Sequence, residues 1–368
     1  MGQLRGRSAS WRGGAALVLL AVFGVVSAGS VACADANLSA RVAVVRASPC
    51  NGSPAPTGKG GGVTGLPWLS LVGGSGHFLL YESHLAGAKN CRLYLANKAG
   101  KSTRLLSFAN ATQSTWTWVS MSGATVLVTT TDRGQNTAYY WRLPSTRRHV
   151  LLPPAGYFPE SAAPGGYIAF SGGHGSQPVA SYVTFDGTIT RLGRLFAKDY
   201  AEDEGYIVLA GPDKRFVAFV AFGDAPGGIR TGRLEHPGHY RWLAKPGTDG
   251  SSCGQPGRTY VGCSTSSRPD FQLFDYKTGK RVAGTNHGCG STPATRGAAL
   301  FLVGNPQCAH PGRLYEYTHG KLTHSTRRFD PYSPVRALGT IAVVSRSTHQ
   351  ILTVESATRA PHVLLASR

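Results

Sequence analysis

The stretch "APGGYIAFSGG" at residues 163–173 sets a proline–glycine turn ahead of an alternating apolar run that ends in glycines. Two relatives stand at "MSGATVLVTTT" (121–131) and "GPDKRFVAFVAF" (211–222). A turn followed by five or six β-formers reads as the start of a strand that is buried on both faces. The question is how often the chain repeats it.

It recurs seven times: at 76–83, 123–131, 165–173, 215–222, 258–265, 298–305 and 339–347. The centres, Phe78, Val126, Ile168, Val217, Val261, Phe301 and Ala342, lie 40 to 49 residues apart. A second phrase follows each, two strands around a polar turn, as in "SYVTFDGTITRLG" (181–193) and "FQLFDYKTGKRVAG" (271–284). Asp-Gly and Thr-Gly between β-formers are hairpin chemistry, because the turn needs positive φ. A shorter strand fits ahead of each unit, clearest in "WTWVSM" (116–121). Each unit therefore holds about four strands, the size of a propeller blade. A lone blade exposes both faces, so blades stack radially and a closed ring buries the ends. The expected fold is an all-β propeller of seven blades, each of four antiparallel strands, with six or eight blades as alternatives.

The phrases "APGGYIAF", "GPDKRFVAF" and "MSGATVLV" resemble the turn-then-strand signature of TolB-type, WD-repeat-like propellers. Gly211, Pro212 and Asp213, and Pro164, Gly165 and Gly166, carry the likeness, which spans most of 67–368. The resemblance implies a fold and a binding role. It brings no catalytic residue with it, since the phrase is structural.

Residues 1–34 read as a signal peptide: Arg5, Arg7 and Arg12, then the apolar "GGAALVLLAVFGVV", then small residues before cleavage after Ala34 or Ala36. A lipid anchor on Cys33 is the alternative. Residues 35–66 hold one strand (37–48) and a Gly/Pro-rich linker, and the strand either covers a sheet edge or completes the last blade. Residues 67–368 form the propeller. Six cysteines remain, Cys50, Cys91, Cys253, Cys263, Cys289 and Cys308. An even count in an exported chain reads as disulfides, and pairing neighbours gives Cys50–Cys91, Cys253–Cys263 and Cys289–Cys308.

The search for chemistry yields little. Gly250–Ser251–Ser252–Cys253–Gly254 spells a nucleophile elbow but reads as a loop without the strand and helix an elbow needs. His236 and His239 share a predicted hairpin turn with no third ligand nearby, so no metal centre is expected there. Trp116 and Trp118, two apart, share a strand face as blade packing or as a platform for sugar rings. Trp141, Trp242, Tyr315 and Tyr317 read as packing. The acidic run "KDYAEDEGY" (198–206) is the candidate ligand site, with Asp199, Glu202, Asp203 and Glu204 at a channel mouth. Calcium is the one cofactor such carboxylates would suit. No other cofactor is expected.

Lys and Arg total 38 against 18 Asp and Glu. A field of that sign favours polyanions. No aromatic–basic interleaving points to a specific nucleic-acid groove. The expectation is a secreted or envelope-associated monomer, not an enzyme, with no transmembrane segment after cleavage. It would bind an envelope protein or a polyanionic surface polymer. The alternatives are an extracellular glycan hydrolase or lyase with its site in the channel, and a purely structural scaffold.

Overall fold

The computed structural model describes residues 68–84, 89–110, 114–132, 135–172, 178–196, 206–220, 228–245, 251–265, 270–285, 294–296, 298–303, 312–329, 335–338, 341–347 and 349–367. Their regular structure is all β. The strands pair into seven four-stranded antiparallel sheets, spanning 68–110, 114–151, 157–193, 207–244, 251–285, 294–329 and 335–366. Each sheet uses four consecutive strands in chain order, so it is a plain meander. The seventh sheet takes its four described strands from 335–366. The strand expected at 37–48 lies outside the described residues.

The opening phrase is the second strand of the third sheet, Gly166–Ser171. Gly165 turns the chain at φ 76°, a conformation costly to any residue with a Cβ. The strand that follows is buried on both faces because a sheet covers it on each side. Ile168 belongs to the apolar cluster shared with the fourth sheet, and Tyr167 and Ala169 belong to the cluster shared with the second.

Every apolar cluster has this inter-sheet character. Leu80, Leu93 and Val126, with the fully buried Trp141, join the first sheet to the second. Val217, Phe219, Val261 and Phe274 join the fourth to the fifth, while Phe271 and Leu273 meet Tyr315 and Tyr317 of the sixth. Leu314 and Phe329 meet Val335 and Val354. Finally Leu338, Val343 and Ile351 of the seventh sheet pack on Leu69, Leu71, Leu79 and Tyr81 of the first. Burying sheet faces against neighbours is the main stabilising term, at roughly 25 cal/mol per Å² of apolar surface. The sheets pack face to face in the manner of propeller blades.

Polar side chains finish the seams. Tyr276 donates from its hydroxyl to Asp213 Oδ1 at 2.8 Å, tying the fifth sheet to the turn of the fourth. Burial pushes that phenol far above its ordinary value, which keeps it a donor. Between the third and fourth sheets, Tyr206 donates to Pro178 O at 3.0 Å and accepts the Ala180 N–H at 3.2 Å. One disulfide is Cys253–Cys263, between directly opposed residues of adjacent strands. Cys91 is disulfide-bonded too.

Candidate functional site

The first strand of each sheet is innermost, and these inner strands stand side by side around the axis. Trp68–Ser75 packs beside Val335–Leu338 on one flank and Ser114–Ser122 on the other. Tyr157–Ala163 then lies between Ser114–Ser122 and Ile207–Ala210. Near their C-terminal ends the strands draw together. Ser122 Oγ donates to Ala210 O at 2.7 Å, so the second sheet reaches past the third to touch the fourth. The same carbonyl accepts Gln255 Nε2 of the fifth sheet at 2.7 Å. Ser161 Oγ donates to Val208 O at 2.7 Å, and Ser120 Oγ accepts the Ala162 N–H at 2.7 Å. These serines are buried, and each is engaged in one of these hydrogen bonds between sheets.

One turn further along the wall, three inner strands carry bulges. The pairing slips between Leu71 and Gly73, between Trp116 and Trp118, and opposite the Ile168/Ala169 step. In the third sheet Pro159 pairs with Ala169 and Ser161 with Ile168, which leaves Glu160 as the extra residue. A bulge re-aims one side chain without ending the strand. Its neighbour Phe158 is 65% exposed at the strand's start.

Glu160 is half-buried and has no hydrogen bond or ion pair among the described residues. Burial without a compensating donor pushes its carboxyl up to about 7. A raised carboxyl pKa means the native state holds the proton more tightly than the unfolded chain. Stability is therefore highest below the ordinary glutamate range and falls as pH rises from about 4.5 toward 7. The full loss is on the order of 3 kcal/mol. Glu160→Gln should match the parent at pH 4.5 and be the more stable protein at pH 8, read from urea unfolding. An advantage for the variant that does not change with pH would contradict this.

The rim offers a second surface. The outermost strands of the seven sheets are Ser102–Asn110, His149–Leu151, Ile189–Gly193, His236–Ala244, Lys280–Thr285, Lys321–Phe329 and His362–Ala366. Together they hold eight Lys and Arg and not one Asp or Glu. Arg104, Arg191, Arg241, Lys280, Lys321 and Arg327 are all exposed there. The three ion pairs among the described residues, Lys214–Glu235, Arg215–Asp213 and Arg359–Glu355, involve none of them.

The sequence candidates fare unevenly. Asp199, Glu202, Asp203 and Glu204, with the calcium they would suit, lie outside the described residues. Among those described, no group of His, Cys, Asp and Glu is placed to hold a metal. Ser251–Cys253 is the inner strand of the fifth sheet and not the loop the sequence implied; Cys253 spends it on the disulfide, and no helix follows. His236 and His239 sit on the strand His236–Ala244 instead of a turn, both exposed. A bulge between Trp116 and Trp118, which pair with Thr130 and Thr129, interrupts the period of two on which a shared face was expected. Trp242 packs beneath the Arg230 guanidinium, 4.0 Å from the ring centre. Glu160 was missed, although "YFPESAA" places a lone acid in a strand whose neighbours are uncharged.

The chain matches no protein-family model and no curated protein. Solved structures do resemble it. A prolyl endopeptidase aligns with TM-score 0.56 and 12% identity, over 82% of this chain and 50% of that one. A puromycin-hydrolyzing peptidase of Mycobacterium tuberculosis aligns with TM-score 0.53 and 13% identity, over 81% and 53%. The β-propeller domain of the Trilobed protease from Pyrococcus furiosus aligns with TM-score 0.52 and 10% identity, over 81% of this chain and 98% of that domain. The chain thus spans about half the length of the two peptidases and nearly all of an isolated propeller. At these identities the likeness shows the fold, a β-propeller with four-stranded antiparallel blades.

Proposed function

We propose that this chain is an exported, non-enzymatic propeller whose seven sheets close one ring, and whose rim binds a polyanionic polymer of the bacterial envelope. One observation carries the reading: the outermost strands gather lysines and arginines and exclude every carboxylate. Charges spread around a rim attract a long anionic chain over many contacts, each weak and screened by salt. Seven apolar clusters, one at each junction including that of the last sheet with the first, support the closed ring. The turn phrase's likeness to TolB-type propellers supports a binding role, and the Cys253–Cys263 disulfide fits an oxidising compartment.

Dextran sulfate serves as the probe. The parent should bind it at low salt and release it as ionic strength rises. Reversing Arg191, Lys321 and Arg327 to glutamate should weaken binding at least tenfold, while Glu160→Gln changes nothing. Equal binding by the triple variant would overturn the rim reading.

A second reading, an extracellular hydrolase, is favoured by the peptidases among the similar structures. Among the described residues the hydroxyl–imidazole contact is Ser367 Oγ to His349 Nδ1 at 3.5 Å, at the last strand's end. That is the outer limit of a hydrogen bond. Hydrolysis of peptide or glycan substrates that survives Ser367→Ala and fails in Glu160→Gln would move the assignment to the channel.

A further inference from the structure

We propose that the outer edge of the second sheet docks on an anionic lipid bilayer, Val150 and Leu152 entering the apolar boundary while Arg147 and Arg148 meet the headgroup phosphates. The starting observation is a tetrapeptide used twice. His-Val-Leu-Leu stands at 149–152 and again at 362–365, each time at the outermost strand of its sheet. In the seventh sheet its leucines, Leu364 and Leu365, pack against the cluster shared with the first sheet. In the second sheet Leu151 is buried against the third, but Leu152 is 85% exposed and Val150 56%. The same residues are covered by a neighbouring sheet in one place and face solvent in the other.

The surroundings of that edge indicate its partner. Val150 pairs with Tyr139, and the Arg148 guanidinium lies over the Tyr139 ring, 4.9 Å from its centre. Directly paired residues share a sheet face, so these three side chains form one patch that is apolar, aromatic and cationic. Arg142, Arg147 and Arg148 are exposed and take no part in the three ion pairs among the described residues. Residues 133–159 contain no Asp or Glu. The adjoining turn of the third sheet brings Asp186, whose carboxylate accepts the Thr188 N–H of that same turn at 3.1 Å. Cations beside exposed aliphatic side chains, over half-buried tyrosines, suit the interface of an anionic bilayer. Other occupants fit less well. A second copy carries the same charge of +20. An added β-strand would meet only His149–Leu151, with Pro153 and Pro154, which lack N–H groups, just beyond it. A soluble polyanion would leave Val150 and Leu152 in water. So small an apolar contact attaches reversibly and needs the arginines as its second signal, so raised salt releases it.

The probe is a vesicle of equimolar phosphatidylcholine and phosphatidylglycerol, set against pure phosphatidylcholine. In co-sedimentation at low salt the parent should bind the anionic vesicle about tenfold or more tightly than the neutral one. Leu152→Ser, at a fully solvated position, should weaken that binding about tenfold and leave dextran sulfate binding unchanged. Replacing Arg147 and Arg148 by serine should remove the preference for the anionic vesicle. Leu152→Trp supplies a direct readout: its added fluorescence should shift to the blue on anionic vesicles and be quenched by brominated lipid. Equal vesicle binding by parent and Leu152→Ser would mean adsorption of the basic rim alone and would overturn the proposal. An unshifted Leu152→Trp, or no binding to the anionic vesicle, would overturn it too. Dextran sulfate bound without vesicles would sink this surface and leave the rim's polymer binding standing; vesicles bound through Leu152 without dextran sulfate would do the reverse.

Discussion

Gly74→Val should cost about 3 kcal/mol or more of unfolding free energy, among the largest effects of any single substitution in this chain. Gly74 lies on the inner strand of the first sheet, which packs against the seventh. A Cβ at this position would sit 2.4 Å from the Ala337 carbonyl oxygen and 2.9 Å from Arg336 Cβ. The nearest obstacle is backbone, so no rotamer change relieves it. The seam has no strand exchanged across it. It is held by Leu338, Val343 and Ile351 against Leu69, Leu71 and Leu79, and by the Arg336–Val72 hydrogen bond. Pushing the two backbones apart loosens all of these together. Gly76→Ala makes the matched comparison. That glycine has φ 56° and nothing within 4 Å of its Cβ position, so its cost is conformational, about 1–2 kcal/mol. Urea unfolding of the two variants separates steric closure from turn strain. Equal losses would contradict closure by close approach.

Gly166→Val should be comparably damaging, and it tests the phrase that organises the fold. "PGGYIAF" contains two glycines with different physical duties. Gly165 supplies the positive φ of the turn. Gly166 has ordinary dihedrals, but its Cβ would lie 2.2 Å from Val183 O and 2.9 Å from Thr184 Cα. Tyr182 fixes this corner, donating its hydroxyl to Pro164 O at 2.7 Å. A side chain at 166 must push the second and third strands apart at their first pair, Gly166–Thr184. The expected loss is about 3 kcal/mol or more, against about 1–2 kcal/mol for Gly165→Ala. Thermal unfolding measures both. A mild effect at 166 would mean the third sheet relaxes more freely than its two covered faces imply.

The strand pattern was legible because burial on both faces leaves its mark directly on composition. All seven turn-then-strand phrases became second strands, from Phe78–His84 to Ile341–Ser347. Alternation failed where a residue was inserted. At Trp116–Trp118 the period of two predicts a shared face, and a bulge interrupts that period. Glu160 escaped notice for the same reason, since an unpaired extra residue obeys no period. "HPGH" carries turn residues and so predicts a turn at His236 and His239; the long outer strand begins there regardless. The basic surplus was visible as a total, yet no run of sequence held it. That eight of the 38 Lys and Arg share the outermost strands with no carboxylate emerges only from strand order, which puts every fourth strand at the rim.

The most direct measurement is retention of the oxidised domain on its own cell envelope, at 50 mM and at 500 mM salt. Rim binding to an anionic polymer predicts strong retention at the lower salt and release at the higher, because the added salt screens each exposed contact between cation and polymer. It also predicts that reversing Arg191, Lys321 and Arg327 abolishes retention at low salt. Retention that persists at 500 mM, or that the triple variant keeps, would contradict the account and point to a shaped site elsewhere on the ring.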